Sequence, residues 1–275
     1  MLQENWQKAD ARSSGSPTVK RTKQDWGDAR RISLDEFSRR KGKGQFATVV
    51  TNLDNSSLLE VVDSHKSDDI IEVLKRQPEQ MHASVEEVCV DMWGGFPKVI
   101  KEVFINAEIV IDRFHVMKLV NKSLNKIRLK LGLTGLKNKS LLTTNNRDLN
   151  DVERVELSEL FQQSTVLEIA YEFKEELRHI YESNSTVKSG LAKMRRWLKY
   201  AGLFFADIAN TLESHLPEIA NFFANRTTSA VTEGINTKIK LILRQSYGFA
   251  TFELMREKLL ACSMRMNSAP LRPFE

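Results

Sequence analysis

The sequence predicts an α/β fold in which a mixed five-stranded sheet has flanking helices and is followed by a large all-helical insertion before one last polar helix. Two observations support this fold class. Hydrophobic residues alternate with a period of two in the first part of the chain, and their spacing becomes helical from about residue 113 onward. The 275 residues are enough for one large domain or two small ones.

Each predicted strand is a short apolar run bounded by turn residues. The turn sequence LDNSS separates the second strand from the third and indicates a hairpin. The runs VCV and IVI in the last two strands are typical of strands buried on both faces, as in a parallel layer. The predicted strands are 31–37, 45–53, 56–63, 86–91 and 107–112.

Helices are predicted between the last strands and throughout the rest of the chain. The segment 67–78 opens with a Ser/Asp cap and stops at Pro78, and the segment 96–104 carries Pro97 in its first turn. The remaining predicted helices are 113–131, 151–182, 186–213, 215–224, 230–244 and 250–266. The predicted organisation is a basic linker or remnant of an N-terminal region at 1–29, the first part of the core at 30–117, a helical insertion at 118–226, a region completing the core at 227–266, and a tail at 267–275.

Composition narrows the class of protein. The net charge of +5 and the pI of about 9.1 favour an anionic partner. The two cysteines form no CxxC pair, which excludes a zinc ribbon or finger and makes a disulfide framework unexpected. No run approaches the ~18 apolar residues of a membrane span. We therefore expect a cytoplasmic protein with no membrane partner.

Three predicted strands end in an acid: Asp35, Asp91 and Asp112. Side chains converge at the carboxyl ends of strands, and neighbouring first and fourth strands would bring Asp35 and Asp91 together. Such carboxylates repel each other, and Mg²⁺ or Mn²⁺ prefers oxygen ligands of this kind. The alternative is that each Asp caps the following helix. It stays open for Asp112 but fails for Asp35, which a strand follows.

A further acid lies on the predicted helix 230–244. Its polar face is formed by Glu233, Asn236, Thr237, Lys240 and Arg244, opposite Ile235, Ile239 and Ile242. This pattern also fits a solvated amphipathic helix. Gly234 favours a second interpretation, because glycine in a helix costs about 1 kcal/mol relative to alanine and close approach of a ligand is one reason to keep it.

Basic residues surround these acids. Between residues 113 and 147 there is no Asp or Glu, and a single-sign stretch of this kind suggests a track for a phosphate backbone; an exposed basic helix without a partner is the alternative. The loop SRRKGKG beside Asp35 is a second stretch with several basic residues and no acidic ones. The predicted DNA-binding residues are Arg39, Arg40, Lys41, Lys118, Lys122, Lys126, Arg128, Lys240 and Arg244. Acids at the centre and cations around them are typical of a metal-dependent enzyme acting on nucleic acid.

Four stretches carry a resemblance to a known family: DWGDARRISLDEFSRRKGKGQFATVVTNLD, VCVDMWGGF, IVIDRFHVMKLVN and TEGINTKIKLILRQSYGFATFELMREKLL. In this order they resemble the ribonuclease-H-like DDE transposases of bacterial insertion sequences of the ISL-three type. The resemblance implies that Asp35, Asp91 and Glu233 are the catalytic, metal-binding triad. The stretch DRFH resembles an Asp-x-x-His signature, which makes Asp112 and His115 auxiliary candidates; a polar helix-face role remains the alternative for His115.

The resemblance implies DNA cleavage and 3′-hydroxyl strand transfer with two Mg²⁺ or Mn²⁺ ions. The partners would be transposon ends and target DNA rather than a small-molecule substrate, with a homodimer or larger assembly on DNA in the bacterial nucleoid. The resemblance implies that full-length members have a longer chain with an N-terminal zinc module and a helix-turn-helix. This chain is therefore expected to be a truncated or decayed copy, or a fragment of a longer reading frame. The alternatives are a non-catalytic DNA-binding relic and a metal-dependent nuclease of the same fold.

Overall fold

The computed structural model describes residues 26–27, 29–40, 45–92, 94–246 and 248–266. It contains a five-stranded sheet with the order β3-β2-β1-β4-β5. The first three strands form an antiparallel meander, whereas β4 is parallel to both β1 and β5. The strands are β1 (Arg31–Arg40), β2 (Gln45–Asn52), β3 (Ser57–Val62), β4 (Glu87–Val90) and β5 (Glu108–Ile111). The predicted mixed sheet is confirmed, and so is the pairing of the first strand with the fourth.

Helices flank the sheet and fill the interval between β5 and the last two helices. Those between β3 and β5 are α1 (Ser67–Leu74), α2 (Glu79–Ser84) and α3 (Phe96–Val103). After β5 come α4 (Arg113–Lys130), α5 (Leu136–Thr143), a short 3₁₀ turn (Asn146–Asp148), α6 (Asp151–Gln162), α7 (Thr165–Glu182), α8 (Val187–Ala201), α9 (Ala206–Ser214), α10 (Leu216–Ala220), α11 (Phe222–Asn225), α12 (Ala230–Gln245) and α13 (Phe252–Met266). No helix in these described ranges is both long and apolar enough to cross a membrane.

Several predicted helix bounds are wrong for local reasons. The predicted helix 151–182 is two helices, because the side chain of Ser164 accepts a hydrogen bond from the Leu167 amide and starts a new helix. The predicted helix 186–213 likewise breaks between α8 and α9. Helix α5 is absent from the prediction because its buried residues, Leu141 and Leu142, are adjacent rather than helically spaced.

The two faces of the sheet enter different hydrophobic cores. Successive side chains of a strand point to opposite faces. In β1, Ile32 and Leu34 join a large core that also contains buried residues of α3 and α4 and of the helical segment up to α11. Phe37, on the opposite face, packs in a smaller core with residues of α12 and α13. The face of β1 that carries Ser33, Asp35 and Phe37 is therefore the face covered by α12.

The last helix is fixed to the sheet by an ion pair. Arg256 of α13 donates to both carboxylate oxygens of Glu60 in β3, each at 2.5 Å. Glu60 is only 3% exposed, so its negative charge requires this bidentate partner. Through this pair α13 lies beside α12 on the site-bearing face of the sheet.

Candidate active site

A cleft of about 800 Å³ opens where β1, α4 and α12 meet. Side chains from distant parts of the sequence form its walls. The acidic and polar lining residues include Asp35, Glu36, Asp112, His115, Glu233 and Asn236, and the basic ones are Arg113, Lys118, Arg178 and Lys240. The cleft therefore combines carboxylates with cations, as the sequence predicted for this protein.

Asp35 lies at the end of the parallel ladder between β1 and β4. The last paired residues of that ladder are Ser33 and Cys89, and Asp35 and Asp91 each follow two positions later. The structure thus brings the two predicted acids to the same end of neighbouring strands. Asp35 is not at the end of its own strand, because β1 continues to Arg40 in its antiparallel pairing with β2.

The pKa of Asp35 is raised above its usual value. Burial of the carboxylate is the largest cause, and the negative charge of Asp91 raises the pKa further. The Glu36 amide, which donates to Asp35 Oδ1 at 2.8 Å, the charge of His115 and the hydrogen bond from Asn236 all act in the opposite direction. The ionised form of the Asp35 carboxylate is therefore disfavoured, and a bound cation would stabilise it.

Helix α12 is held to β1 by two side-chain hydrogen bonds. The hydroxyls of Ser33 and Thr232 bond to each other, and Asn236 Nδ2 donates to Asp35 Oδ2 at 2.7 Å. Thr232 and Asn236 are four residues apart on the helix, a rise of about 6 Å, and Ser33 and Asp35 are two residues apart on the strand, a rise of about 6.6 Å. Because these two spacings nearly match, both hydrogen bonds can form at once. Asn236 is only 8% exposed, which corrects its predicted place on the solvated polar face.

Glu233 lies on the exposed side of α12 and lines the cleft together with Thr237 and Lys240. The neighbouring Gly234 is also exposed, and a Cβ added there would meet no atom of the described residues within 4 Å. Internal packing therefore does not require glycine at this position. Its predicted role in close approach of a ligand stays a prediction.

Asp112 is the N-cap of α4. Its Oδ1 accepts a hydrogen bond from the Phe114 amide at 3.2 Å, and its Oδ2 accepts one from the hydroxyl of Ser229, next to the start of α12. The capping interpretation is confirmed for this residue, which is 1% exposed. Asp112 also joins the two helices that form the cleft. His115, one turn into α4, lines the cleft and acts electrostatically on Asp35.

Glu36 and Arg178 are among the lining residues that were not predicted as site residues. Burial raises the pKa of Glu36, the charges of Asp91 and Asp35 raise it further, and the nearby His65 opposes this effect. Its position next to Asp35 was a usable signal, but strand alternation argued against a shared site. Arg178 enters the cleft from α7, and no local sequence signal connects it with β1.

The predicted DNA-binding cations divide into two groups. Lys118 and Lys240 line the cleft, and Lys122 and Arg244 are exposed on α4 and α12. None of these four forms an ion pair with another residue of the described ranges. Lys41 lies outside those ranges, as does the side chain of Arg40.

The second group is engaged within the fold. Lys126 pairs with Asp207 at 2.6 Å, and Arg39 pairs with Asp63 at 2.8 Å while lying over the Phe252 ring. Arg128 is 3% exposed and donates to the backbone carbonyls of Leu133 and Gly135. Its predicted contact with DNA is therefore wrong, because its guanidinium holds the loop after α4.

The donor chemistry of the cleft fits a hard divalent cation. Asp35 and Asp91 supply carboxylate oxygens at one end of the sheet, and Glu233 lines the same cleft as Asp35. Within the part of the chain that the structure describes, no three His, Cys, Asp or Glu side chains are already gathered as a metal site. Asp35 thus shares one end of the sheet with Asp91 and one cleft with Glu233, but the three acids are not preassembled as a triad.

Comparison with known proteins places this chain in a family. The model of a family described as transposase matches residues 32–259, which include β1 from its second residue onward, the other four strands and α12. The transposase for insertion sequence element IS1001 of Bordetella parapertussis is 24% identical over 251 residues, covering 86% of this chain and 62% of that protein. The chain thus spans less than two thirds of this relative. The chain belongs to the family of DDE transposases of the ISL-three type.

Proposed function

We propose that this chain is the catalytic part of a transposase that cleaves DNA and joins the freed 3′-hydroxyl to a target strand. The observation that carries the proposal is the placement of Asp35 and Asp91 at the same end of paired parallel strands, with Asp35 bonded to the helix that bears Glu233. Membership of the transposase family supports the same reaction class.

The three acids would hold two Mg²⁺ or Mn²⁺ ions. When bound, such ions activate a water or hydroxyl nucleophile and stabilise the charge of the leaving oxygen. Hydrolysis of one phosphodiester bond then leaves a 3′-hydroxyl. Attack of this hydroxyl on a second phosphodiester forms the new bond and expels the 3′-oxygen of the target strand. No covalent bond to the protein is needed.

The remaining walls of the cleft would orient DNA. Lys118 and Lys240 flank the acids, and Lys122 continues the basic surface along α4. Contacts of this kind give affinity for phosphates without reading sequence. Phe114 also lines the cleft and is 52% exposed, so its ring is open to a partner there. We infer that a base stacks on this ring, as bases do in single-stranded nucleic-acid sites.

The assembly follows from the reaction. Joining two transposon ends needs two active sites, so we propose a homodimer or larger complex on DNA, working at the bacterial nucleoid. Because the strand-transfer substrate is DNA at both steps, no small-molecule substrate is expected.

The test is Mg²⁺- or Mn²⁺-dependent cleavage and joining of labelled DNA by the 275-residue chain, with Asp91→Asn as the control. Metal-dependent joined products that disappear in Asp91→Asn would support the transposase. Cleavage without joining would favour a nuclease of the same fold. DNA binding without any product would favour the non-catalytic relic.

A further inference from the structure

Asn236 makes one hydrogen bond that joins the candidate site to α12. Its Nδ2 donates to Asp35 Oδ2 at 2.7 Å, and the residue is 8% exposed. The amide oxygen of the same side chain is buried and has no hydrogen-bond donor among the residues of the described ranges. The amide nitrogen therefore has a hydrogen-bond partner, Asp35, whereas the amide oxygen has none within the described ranges.

The direction of the amide follows from chemistry. An ionised carboxylate accepts hydrogen bonds and cannot donate them, so the nitrogen of Asn236 has to face Asp35. Turning the amide over would place two acceptor oxygens against each other. The unpartnered oxygen is thus a consequence of the bond to Asp35, and the fold tolerates it in order to keep that bond.

The bond completes the orientation of the Asp35 carboxylate. Oδ1 accepts from the Glu36 amide at 2.8 Å, and Oδ2 accepts from Asn236. With one donor on each oxygen, rotation of the carboxylate about its terminal torsion is restricted. Residues that orient a ligating carboxylate in this way tune the affinity of a site for its cation.

A purely structural role would not require an amide here. An apolar side chain of the same size could pack between β1 and α12, as Ile235 and Ile239 do on the same helix. A half-satisfied buried polar group is worse for stability than an apolar one. The position therefore gains something other than stability from the amide.

We propose that Asn236 is a positioning residue that fixes the Asp35 carboxylate for binding of a divalent cation. This inference rests on the proposed function. It assigns to α12 a second role beside that of Glu233, because the same helix would then carry one acid and the group that orients another.

Thr232 provides a matched control. It lies one helical turn before Asn236 on the same buried face and bonds to Ser33, two residues before Asp35 in β1. The change Thr232→Val removes a side-chain hydrogen bond between the same helix and the same strand but leaves Asp35 untouched. A merely structural role for Asn236 predicts equal consequences for the two variants.

The experiment measures Mn²⁺ binding to the full chain without DNA, by isothermal titration and by electron paramagnetic resonance of free Mn²⁺. We expect Asn236→Leu to bind Mn²⁺ about 10-fold or more weakly than the unchanged protein, the range observed for groups that orient metal ligands. Thr232→Val should keep its Mn²⁺ affinity, even where denaturant unfolding shows that both variants are less stable. If Asn236→Leu does not fold, Asn236→Ser serves in its place.

Two results would overturn the inference alone: unchanged Mn²⁺ affinity in the Asn236 variant, or an equal loss of affinity in Thr232→Val. The proposed function fails separately if the unchanged protein binds no Mn²⁺, or if Asp35→Asn binds it as well as the unchanged protein does. In either of those cases the role of Asn236 is overturned together with the two-ion mechanism.

Discussion

The two walls of the cleft use charged residues in different ways. On the wall formed by β1 and α12, the predicted acids Asp35 and Glu233 both line the cleft. On the wall formed by α4, the predicted cations have divided fates: Lys118 and Lys122 are exposed, while Lys126 is paired and Arg128 is buried. The acids are placed by strand register and helix face, whereas the partners of the cations come from distant residues such as Asp207. A single-sign stretch of sequence therefore overstates the cationic surface that a partner would meet.

Asp35→Asn tests the wall formed by β1 and α12 and should have the largest effect. We expect metal-dependent cleavage of labelled DNA to fall by more than about a thousandfold, the order of loss seen when one member of a catalytic group is removed. The neutral amide is nearly isosteric, so the fold should survive, which circular dichroism would verify. Lys238→Ala, on an exposed position of α12 outside the cleft, is the control. Full activity in Asp35→Asn would place the chemistry elsewhere.

Lys174→Met tests whether a buried cation next to the cleft affects the free energy of unfolding. Its ammonium is fully buried and donates to the carbonyls of Leu142 and Thr144, next to the cleft residues Thr143 and Asn145. Burial lowers the pKa of Lys174 to about 8, although Glu175 opposes the shift. Between about pH 8 and the pKa of 10.5 for the unfolded chain, the unfolded state binds more protons than the folded state.

The free energy of unfolding should therefore rise with pH across that window through Lys174, by up to about 3 kcal/mol at 1.36 kcal/mol per pKa unit. Other groups titrate in the same range, so the measurement is the difference between the unchanged protein and Lys174→Met in urea unfolding at pH 7.5 and 10. A difference that does not change with pH would show that the ammonium is solvated.

Arg128→Met tests whether the buried cation of α4 contributes to stability rather than to DNA binding. Removing the guanidinium leaves the carbonyls of Leu133 and Gly135 without their donor. We expect the free energy of unfolding to fall by about 2 kcal/mol, since an unsatisfied buried group costs about 1–3 kcal/mol. DNA affinity measured below the unfolding transition should stay the same. A loss of affinity without a loss of stability would restore Arg128 to the DNA-binding surface.

Phe114→Ala tests the aromatic ring in the cleft. We expect affinity for single-stranded DNA to fall by about 1–2 kcal/mol, at the lower end of the range for loss of a stacked base. Fluorescence anisotropy of a labelled oligonucleotide gives this value. Leu136→Ala is matched to it, because that apolar side chain is 83% exposed on α5 and does not line the cleft. Equal effects of the two changes would contradict stacking on Phe114.

Lys122→Ala and Lys126→Ala compare an exposed cation of α4 with one that is paired to Asp207, and they should have the smallest effects. Each phosphate contact contributes about 0.9 to the slope of log affinity against log salt for duplex DNA. We expect Lys122→Ala to lower that slope by roughly one contact. Lys126→Ala should change it less, because Asp207 already neutralises Lys126. The measurement is duplex affinity at several salt concentrations, and equal slopes would mean that the ion pair opens on binding DNA.

The acids and the sheet were accessible from sequence because their signals are local. Period-two alternation places Ser33, Asp35 and Phe37 on one face of β1, and the parallel pairing of β1 with β4 follows from the order of elements. The cap role of Asp112 was likewise one of two local interpretations, and the structure confirms it. By contrast, the break at Ser164 escaped prediction because hydrophobic spacing continues across it.

By itself the sequence determined the mixed sheet, the candidate acids and the family to which the chain belongs, since periodicity, spacing and motif are properties of neighbouring residues. Only the tertiary structure decided which polar groups are buried and which charges are already neutralised. Asn236 is buried because it donates a hydrogen bond to Asp35 instead of facing solvent with the rest of the polar face of α12. Arg128 is buried because its guanidinium donates to the backbone carbonyls of the loop after α4. Burial and pairing depend on groups that are far apart in the chain, so no local pattern could assign them.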